Sequence, residues 1–199
     1  MNRKNYICTA ALIAVNVILF FGLSFRGMTE DAGFMLAHGA MYVPDILDKG
    51  KYYELVTSMF LHFGFQHLMN NMVSLAVLGS QLEREVGKVR FLLIYFLSGL
   101  AGNALSAVFE LRSGTFAVSA GASGAIFGII GALFYIAVRN HGRVGDVSGR
   151  GIVFMVALSL YLGFTSTSVD NFAHVGGLIG GFILGVILYH KQMPRAEGW

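Results

Sequence analysis

The sequence predicts an all-α polytopic membrane protein: six transmembrane helices with a membrane-associated first loop, in a single membrane domain over residues 1–199. Three observations predict it. Only 13% of the residues are charged and 55% are hydrophobic, whereas a soluble domain carries about 25% charged residues. The charges are also gathered, leaving six charge-free windows at 5–25, 55–82, 91–109, 113–138, 151–169 and 171–190. Each window is at least 19 residues long, and a bilayer-spanning helix needs about 20.

The elements follow in order. Residues 5–25 read as a retained first span, because the apolar run exceeds the usual 7–15 residues of a signal-peptide core and no small-x-small site precedes Arg26. The lone Cys8 lies in that span and is expected to pack as a small apolar residue. Residues 26–62 form a long outer segment with Pro44, several acids and Phe34, Met35, Tyr42, Tyr52, Tyr53, Met59 and Phe60. It is too apolar for a solvated linker, and the expectation is a segment folded onto the membrane surface with its tyrosines at the interface. The remaining spans are expected at 64–82, 90–110, 121–138, 151–166 and 171–189.

The fourth window carries a length argument. Its 26 residues as one helix would reach about 39 Å, against a hydrocarbon core near 30 Å. Residues 113–120 (Ser-Gly-Thr-Phe-Ala-Val-Ser-Ala) are therefore expected to enter as a loop, with the helix starting near Gly121–Ser123. Irregular backbone at membrane depth is tolerated only inside protein or beside a water-filled cavity. A cavity with Ser123 at its floor is the implied arrangement.

Charge sets the orientation. With the N-terminus inside, Arg3, Lys4, Arg84, Lys88, Arg90, Arg139, Arg143, Arg150, Lys191 and Arg195 all fall inside, ten of the 14 basic residues. Arg26, Lys49, Lys51 and Arg112 remain outside, although the outer segment is the longest loop. The positive-inside rule therefore predicts cytoplasmic termini. No basic patch is interleaved with aromatics on a soluble face, so nucleic acid is not an expected partner.

In that orientation the second, fourth and sixth spans all begin at the outer leaflet. His67 and Asn71 lie near the start of the second, Ser123 near the start of the fourth and His174 near the start of the sixth. Polar side chains in membrane helices are costly and usually functional. A serine hydroxyl becomes a nucleophile when a base takes its proton, and His174 is the only histidine within the last three spans, read to residue 189. His67 and Asn71, four apart on one helix face, could donate to a developing oxyanion, together with the Ser123 N–H at a helix N-terminus. Gly124 and Gly128 share one face of the fourth span; Gly177, Gly181 and Gly185 share one face of the sixth. Small-xxx-small faces let membrane helices approach closely, which would bring Ser123 to His174.

Taken singly, each signal has an ordinary explanation: glycine and serine are common in membrane helices, and an isolated histidine is usually a structural hydrogen-bonder. Matched depth on three parallel spans is what gives them weight. His38, His62, His141 and His190 are expected to be solvated or interfacial. Asp170, four residues before His174, could orient the imidazole as a triad acid does, but N-capping at the membrane surface is the preferred reading.

The chain resembles the rhomboid intramembrane serine proteases of the six-span bacterial type over nearly its whole length. The motifs are Phe60-Leu61-His62 leading to His67-Leu68-Met69-Asn70-Asn71, then Glu83-x-x-x-Gly87-x-x-x-Phe91, Gly121-Ala122-Ser123-Gly124 and Ala173-His174-x-x-Gly177-x-x-x-Gly181. The resemblance implies a Ser123–His174 dyad without a third acid, an oxyanion hole that His67 and Asn71 help to form, and a membrane-dipping loop at 26–62. Two positions depart from the family pattern. Tyr53-Glu54 stands where a Trp-Arg pair is common, which bears on loop packing, and Phe127 stands where a tyrosine often stacks on the histidine.

The expected activity is that of a serine endopeptidase cutting transmembrane proteins near the outer face of the plasma membrane, with the site opening to the extracytoplasmic side. Transmembrane substrates and membrane lipid are the expected partners, and no metal or cofactor is expected. The first rival is a catalytically inactive relative that binds membrane helices, against which intact Ser123 and His174 argue. The second is a transporter. Ion-coupled transporters usually need intramembrane carboxylates, and none lies within the charge-free windows. A membrane metalloprotease would need His-Glu-x-x-His, which is absent.

Overall fold

A computed structural model describes residues 6–145, 147–164 and 169–189. Arg3, Lys4, His190, Lys191 and Arg195 lie outside the described residues. The protein is an all-α, multi-pass membrane protein. Helix α1 (Ile7–Ser24) leads into the segment expected from the charge pattern to lie outside, called the outer segment below, which holds α2 (Ala32–Ala37), α3 (Val43–Lys49), α4 (Glu54–Thr57) and a 3₁₀ turn (Ser58–Phe60). Helix α5 (Gly64–Ser74), a π-helical turn (Leu75–Gly79) and α6 (Ser80–Val86) run on without interruption. Helices α7 (Lys88–Ser113), α8 (Ser123–Arg139), α9 (Gly149–Phe164) and α10 (Asn171–Leu188) follow. The short strands β1 (Arg143–Val144) and β2 (Val147–Ser148) pair antiparallel between α8 and α9. Among the described residues α1, α7 and α10 are each long and apolar enough to cross a bilayer, and α8 and α9 are shorter apolar helices.

Two helices outrun their expected spans, for one reason. Loss of charge-free character ended the expected spans at 82 and 110, but a charge does not stop a helix and a glycine does. Helix α6 continues to Val86 and stops at Gly87, whose φ is +82°. Helix α7 continues past Glu110 to Ser113 and stops at Gly114 in the left-handed region, φ +70°. A carboxylate therefore does sit within the last turn of α7.

Glycine also sets how closely helices pack. In α10, a Cβ on Gly177 would strike the Gly124 carbonyl of α8, and one on Gly181 would strike that of Gly128. On another face of α10, a Cβ on Gly176 would lie 2.8 Å from the Ala101 carbonyl oxygen of α7. Helix α10 is thus wedged between α7 and α8, with backbone meeting backbone on both sides. Such contact supplies the van der Waals attraction that must replace a hydrophobic driving force in lipid.

The polar motif around Glu83 is architectural. Its buried carboxylate accepts from the N–H of Cys8 (3.0 Å) and Thr9 (2.8 Å) and from the Thr9 hydroxyl (2.8 Å). It satisfies amides in the first turn of α1 that have no intrahelical acceptor. Cys8 packs at the edge of the main core, as its apolar character suggested.

The outer segment has its own small cores. Met35, Ala40 and Leu61 are buried against Phe34, Phe63, Val118 and Ala120, while Met41, Val43 and Ile46 pack against Leu55 and Ala107 of α7. Phe25, Met28, Tyr52 and Tyr53 point outward and are exposed. Glu54 is fully buried: one oxygen accepts from the Tyr42 N–H at 3.1 Å, and the other lies 3.5 Å from Lys51 Nζ. Nearby, hydrogen bonds from Lys49 and Lys51 hold the Asp45 carboxyl below the usual carboxylate range.

Candidate active site

Helix α8 begins at Ser123, within the expected start, and residues 115–122 lead into it as irregular backbone. That segment is anchored at successive points. Ser119 and Met41 exchange backbone hydrogen bonds of 2.9 and 2.8 Å, and the Gly121 N–H donates to the Ser58 carbonyl at 2.9 Å. Ser58 is buried and in turn receives the Asn103 amide from α7 at 3.1 Å. Gly121 has φ +144°, a conformation that favours glycine. A side chain there would also place its Cβ 3.0 Å from His67 Nε2 and 3.6 Å from Ser123 Oγ. Its absence leaves open the space that the His67 ring and the Ser123 hydroxyl both border.

Ser123 Oγ and His174 Nε2 are 2.9 Å apart. The two residues are brought together by the glycine seam, since Gly124 and Gly177 follow them on the touching faces. Phe127, one turn below Ser123, stacks on the His174 ring with centroids 4.2 Å apart and planes 9° from parallel. The ring contact expected of this position is therefore made without a hydroxyl. His174 is buried, and its Nδ1 has no hydrogen-bond partner among the described residues. Asp170 does not supply one: its Oδ1 accepts the Ala173 N–H at 2.9 Å as the N-cap of α10.

On α5, His67 Nδ1 accepts the Phe63 N–H at 3.3 Å. Assigned from that bond, the neutral ring carries its proton on Nε2 and aims a donor at the space beside Gly121. Asn71 is buried one turn further on, and its Nδ2 donates to the His67 carbonyl at 3.0 Å. One amide hydrogen of Asn71 is thus engaged within its own helix, leaving the other. The Ser123 N–H is among the first amides of α8, which lack intrahelical acceptors.

His62 corrects the sequence reading. It was expected to be solvated or interfacial, yet only 1% of it is exposed. Its Nε2 accepts the Ala122 N–H at 3.4 Å, and its ring meets that of His67 edge-on at 5.2 Å. Burial pushes its pKa down to about 3, so the ring stays neutral and an acceptor. The available signal was the pair of apolar neighbours, Leu61 and Phe63. His38 and His141 are exposed, in keeping with their expected surface positions. The sequence reading also passed over Ser58, Asn103, Ser106 and Ser119. Nothing in their local sequence marks them, because their partners are 45 to 64 residues away.

The site is thus a serine hydrogen-bonded to a histidine at one end of a glycine-packed pair of helices, inside a multi-pass membrane protein. The Rhomboid domain profile matches residues 49–191, and the chain belongs to the rhomboid family. It is 37% identical over 188 residues to the protein named Rhomboid protease GluP of Bacillus subtilis (strain 168), covering 94% of this chain and 35% of that one. It is 35% identical over 146 residues to Putative rhomboid protease YdcA of the same organism, covering 73% and 72% of the two chains. RHOMBOID-like protein 2 of Arabidopsis thaliana is 39% identical over 163 residues, covering 81% of this chain and 49% of that one. The chain thus spans only about a third to a half of several of the relatives it matches.

Proposed function

We propose that this protein is an intramembrane serine endopeptidase that cuts transmembrane proteins near the outer face of the plasma membrane by a Ser123–His174 dyad. The observation that carries the reading is the 2.9 Å approach of Ser123 Oγ to His174 Nε2 at buried depth. Family membership and the names of the bacterial relatives support it.

The residues suggest the steps. His174 Nε2 takes the hydroxyl proton as Ser123 Oγ attacks the scissile carbonyl carbon. The oxygen of the resulting tetrahedral adduct takes up negative charge and accepts hydrogen bonds from the Ser123 N–H and His67 Nε2–H, with Asn71 beside them. The adduct collapses: the C–N bond breaks, His174 delivers its proton to the leaving amine, and an acyl ester remains on Ser123. Water, deprotonated by His174, hydrolyses that ester and regenerates the hydroxyl. With no hydrogen bond on Nδ1 among the described residues, the imidazole is oriented by the Phe127 stack rather than by a buried acid.

A transmembrane helix satisfies its own amides, so its carbonyls are poorly presented for attack. Favoured substrates should carry small or helix-weakening residues near their outer ends, where unwinding costs least. Charge bias puts both termini of the enzyme in the cytoplasm, so cleavage would release the outer part of the substrate.

A fluorophosphonate probe tests the reading directly. Wild-type protein should label and cut a model transmembrane substrate, and Ser123→Ala should do neither. Mass spectrometry should find the new termini near the outer end of the substrate span; a cut at the cytoplasmic end would overturn the orientation. Absence of labelling in the wild type would favour the inactive helix-binding alternative.

A further inference from the structure

Asp170 has a second set of bonds that capping does not explain. Besides accepting the Ala173 N–H, it accepts through Oδ2 from the Ser106 hydroxyl of α7 at 2.6 Å and from the Ser119 hydroxyl at 3.0 Å. Ser106 is buried. A carboxylate is suited to this because its two oxygens can accept several donors at once, and charge-assisted bonds are the strong ones.

The placement has a simple logic. Ser119 lies four residues before Ser123, and Asp170 lies four residues before His174. The same two stretches of chain are therefore joined twice, by Ser123 Oγ to His174 Nε2 and by Ser119 Oγ to Asp170 Oδ2. We propose that Asp170 is a positioning residue for the hydrolytic step, a three-way latch that sets the depth of His174 against Ser123. It acts through Ser119 and Ser106 and does not touch the imidazole nitrogen. Because the base has no acid on Nδ1 among the described residues, its placement depends on the Phe127 stack and on where the first turn of α10 is held. This inference rests on the proteolytic reading above.

The experiment compares kcat, KM, fluorophosphonate labelling and thermal stability in Asp170→Ala, Asp170→Asn, Ser119→Ala and Ser106→Ala, with Ser123→Ala as the blank. Misplacement of a catalytic group by about an ångström can cost on the order of a hundredfold. Asp170→Ala should therefore lower kcat by about ten- to a hundredfold with KM nearly unchanged. Asp170→Asn keeps one oxygen to accept the Ala173 N–H and puts an NH2 where Oδ2 was, which can donate to a serine hydroxyl oxygen, and it should recover part of the loss. Ser119→Ala should lower kcat modestly in the wild type and have no effect in the Asp170→Ala background.

Wild-type kcat in Asp170→Ala would overturn the latch, as would full additivity of the Ser119 and Asp170 substitutions or a loss confined to KM. Should Asp170→Ala fail to accumulate, the Ser106→Ala/Ser119→Ala double variant removes the Oδ2 bonds and keeps the cap; unchanged kcat there would equally reject the proposal. A wild-type protein that does not label at all removes the activity itself, an outcome distinct from a labelled wild type matched by a labelled Asp170→Ala.

Discussion

The seam between α8 and α10 and the flank where α9 leans on the same two helices are both apolar contacts, yet they are built in opposite ways. Along the seam Gly177 and Gly181 press on the backbone of Gly124 and Gly128, with no room for a methyl group. Along the flank an apolar cavity of about 390 Å³ remains among Phe134, Ile152, Val156, Leu178 and Phe182, and Phe154 and Tyr161 of α9 stay largely exposed. Lipid tails are as apolar as leucine, so packing quality rather than burial decides how tightly membrane helices associate. The residues of the proposed dyad sit at the end of the tight contact, where a 2.9 Å geometry can be maintained. Among the described residues, those that line the loose contact are all apolar.

The comparison can be broken at several points, in decreasing order of effect. Ser123→Ala and His174→Ala should each reduce cleavage by at least about 10³-fold, and the double variant should be little worse, since the pair acts as a unit. Circular dichroism and thermal stability should be close to wild type. A residual rate in Ser123→Ala near that of the parent would remove the assignment.

Gly181→Val should be nearly as damaging by another route. Its side chain has no space against Gly128, and overpacking costs about 1–3 kcal/mol or more. Lower thermal stability and a matching fall in labelling rate are expected. A stable, fully active variant would show that this face does not set the distance from Ser123 to His174.

His67→Ala should lower kcat by on the order of 10²-fold, the usual cost of one oxyanion donor. Asn71→Ala should cost less, because one of its amide hydrogens is already given to the His67 carbonyl. The reverse ranking would mean that Asn71 is the principal donor.

On the loose side, Ala157→Leu should fill part of the cavity while changing stability by less than about 1 kcal/mol and cleavage by less than about twofold. A tenfold loss would show that the slack beside α9 is used during turnover.

The smallest effect concerns the outer segment. Asp45 has its pKa lowered by hydrogen bonds from Lys49 and Lys51. Its contribution to stability is therefore complete above the unfolded-state value, near 3.9, and is lost as pH falls through the lower folded value. Limited proteolysis around residues 45–54 should increase only in that acidic window, and Asp45→Asn should show the increase at neutral pH. Equal nicking of both proteins at pH 7 would deny the ion pairs a role.

Much of the site was legible because membrane chemistry makes polar residues conspicuous. Ser123, His174, His67 and Asn71 stood out against charge-free sequence, and glycine spacing announced which helix faces would meet. His62 and Asp170 were less legible for a common reason. Each sits just before a helix begins, where a polar residue attracts no notice, and only its distant partners (Ala122 for one, Ser106 and Ser119 for the other) reveal its work.

By itself the sequence determined the class of fold, since a chain with so little charge must satisfy its amides in apolar helices. It also determined the point where the fourth span turns helical, and it singled out Ser123 and His174 as the candidate nucleophile and base. Tertiary structure decided where the remaining lone pairs and amides are satisfied. The Glu83 carboxylate caps α1, the buried Glu54 holds Tyr42 in the outer segment, and Asp170 ties α10 to two other segments. Hydrogen-bond partners separated by tens of residues leave no periodic trace in a chain, whereas burial in lipid marks every residue it touches.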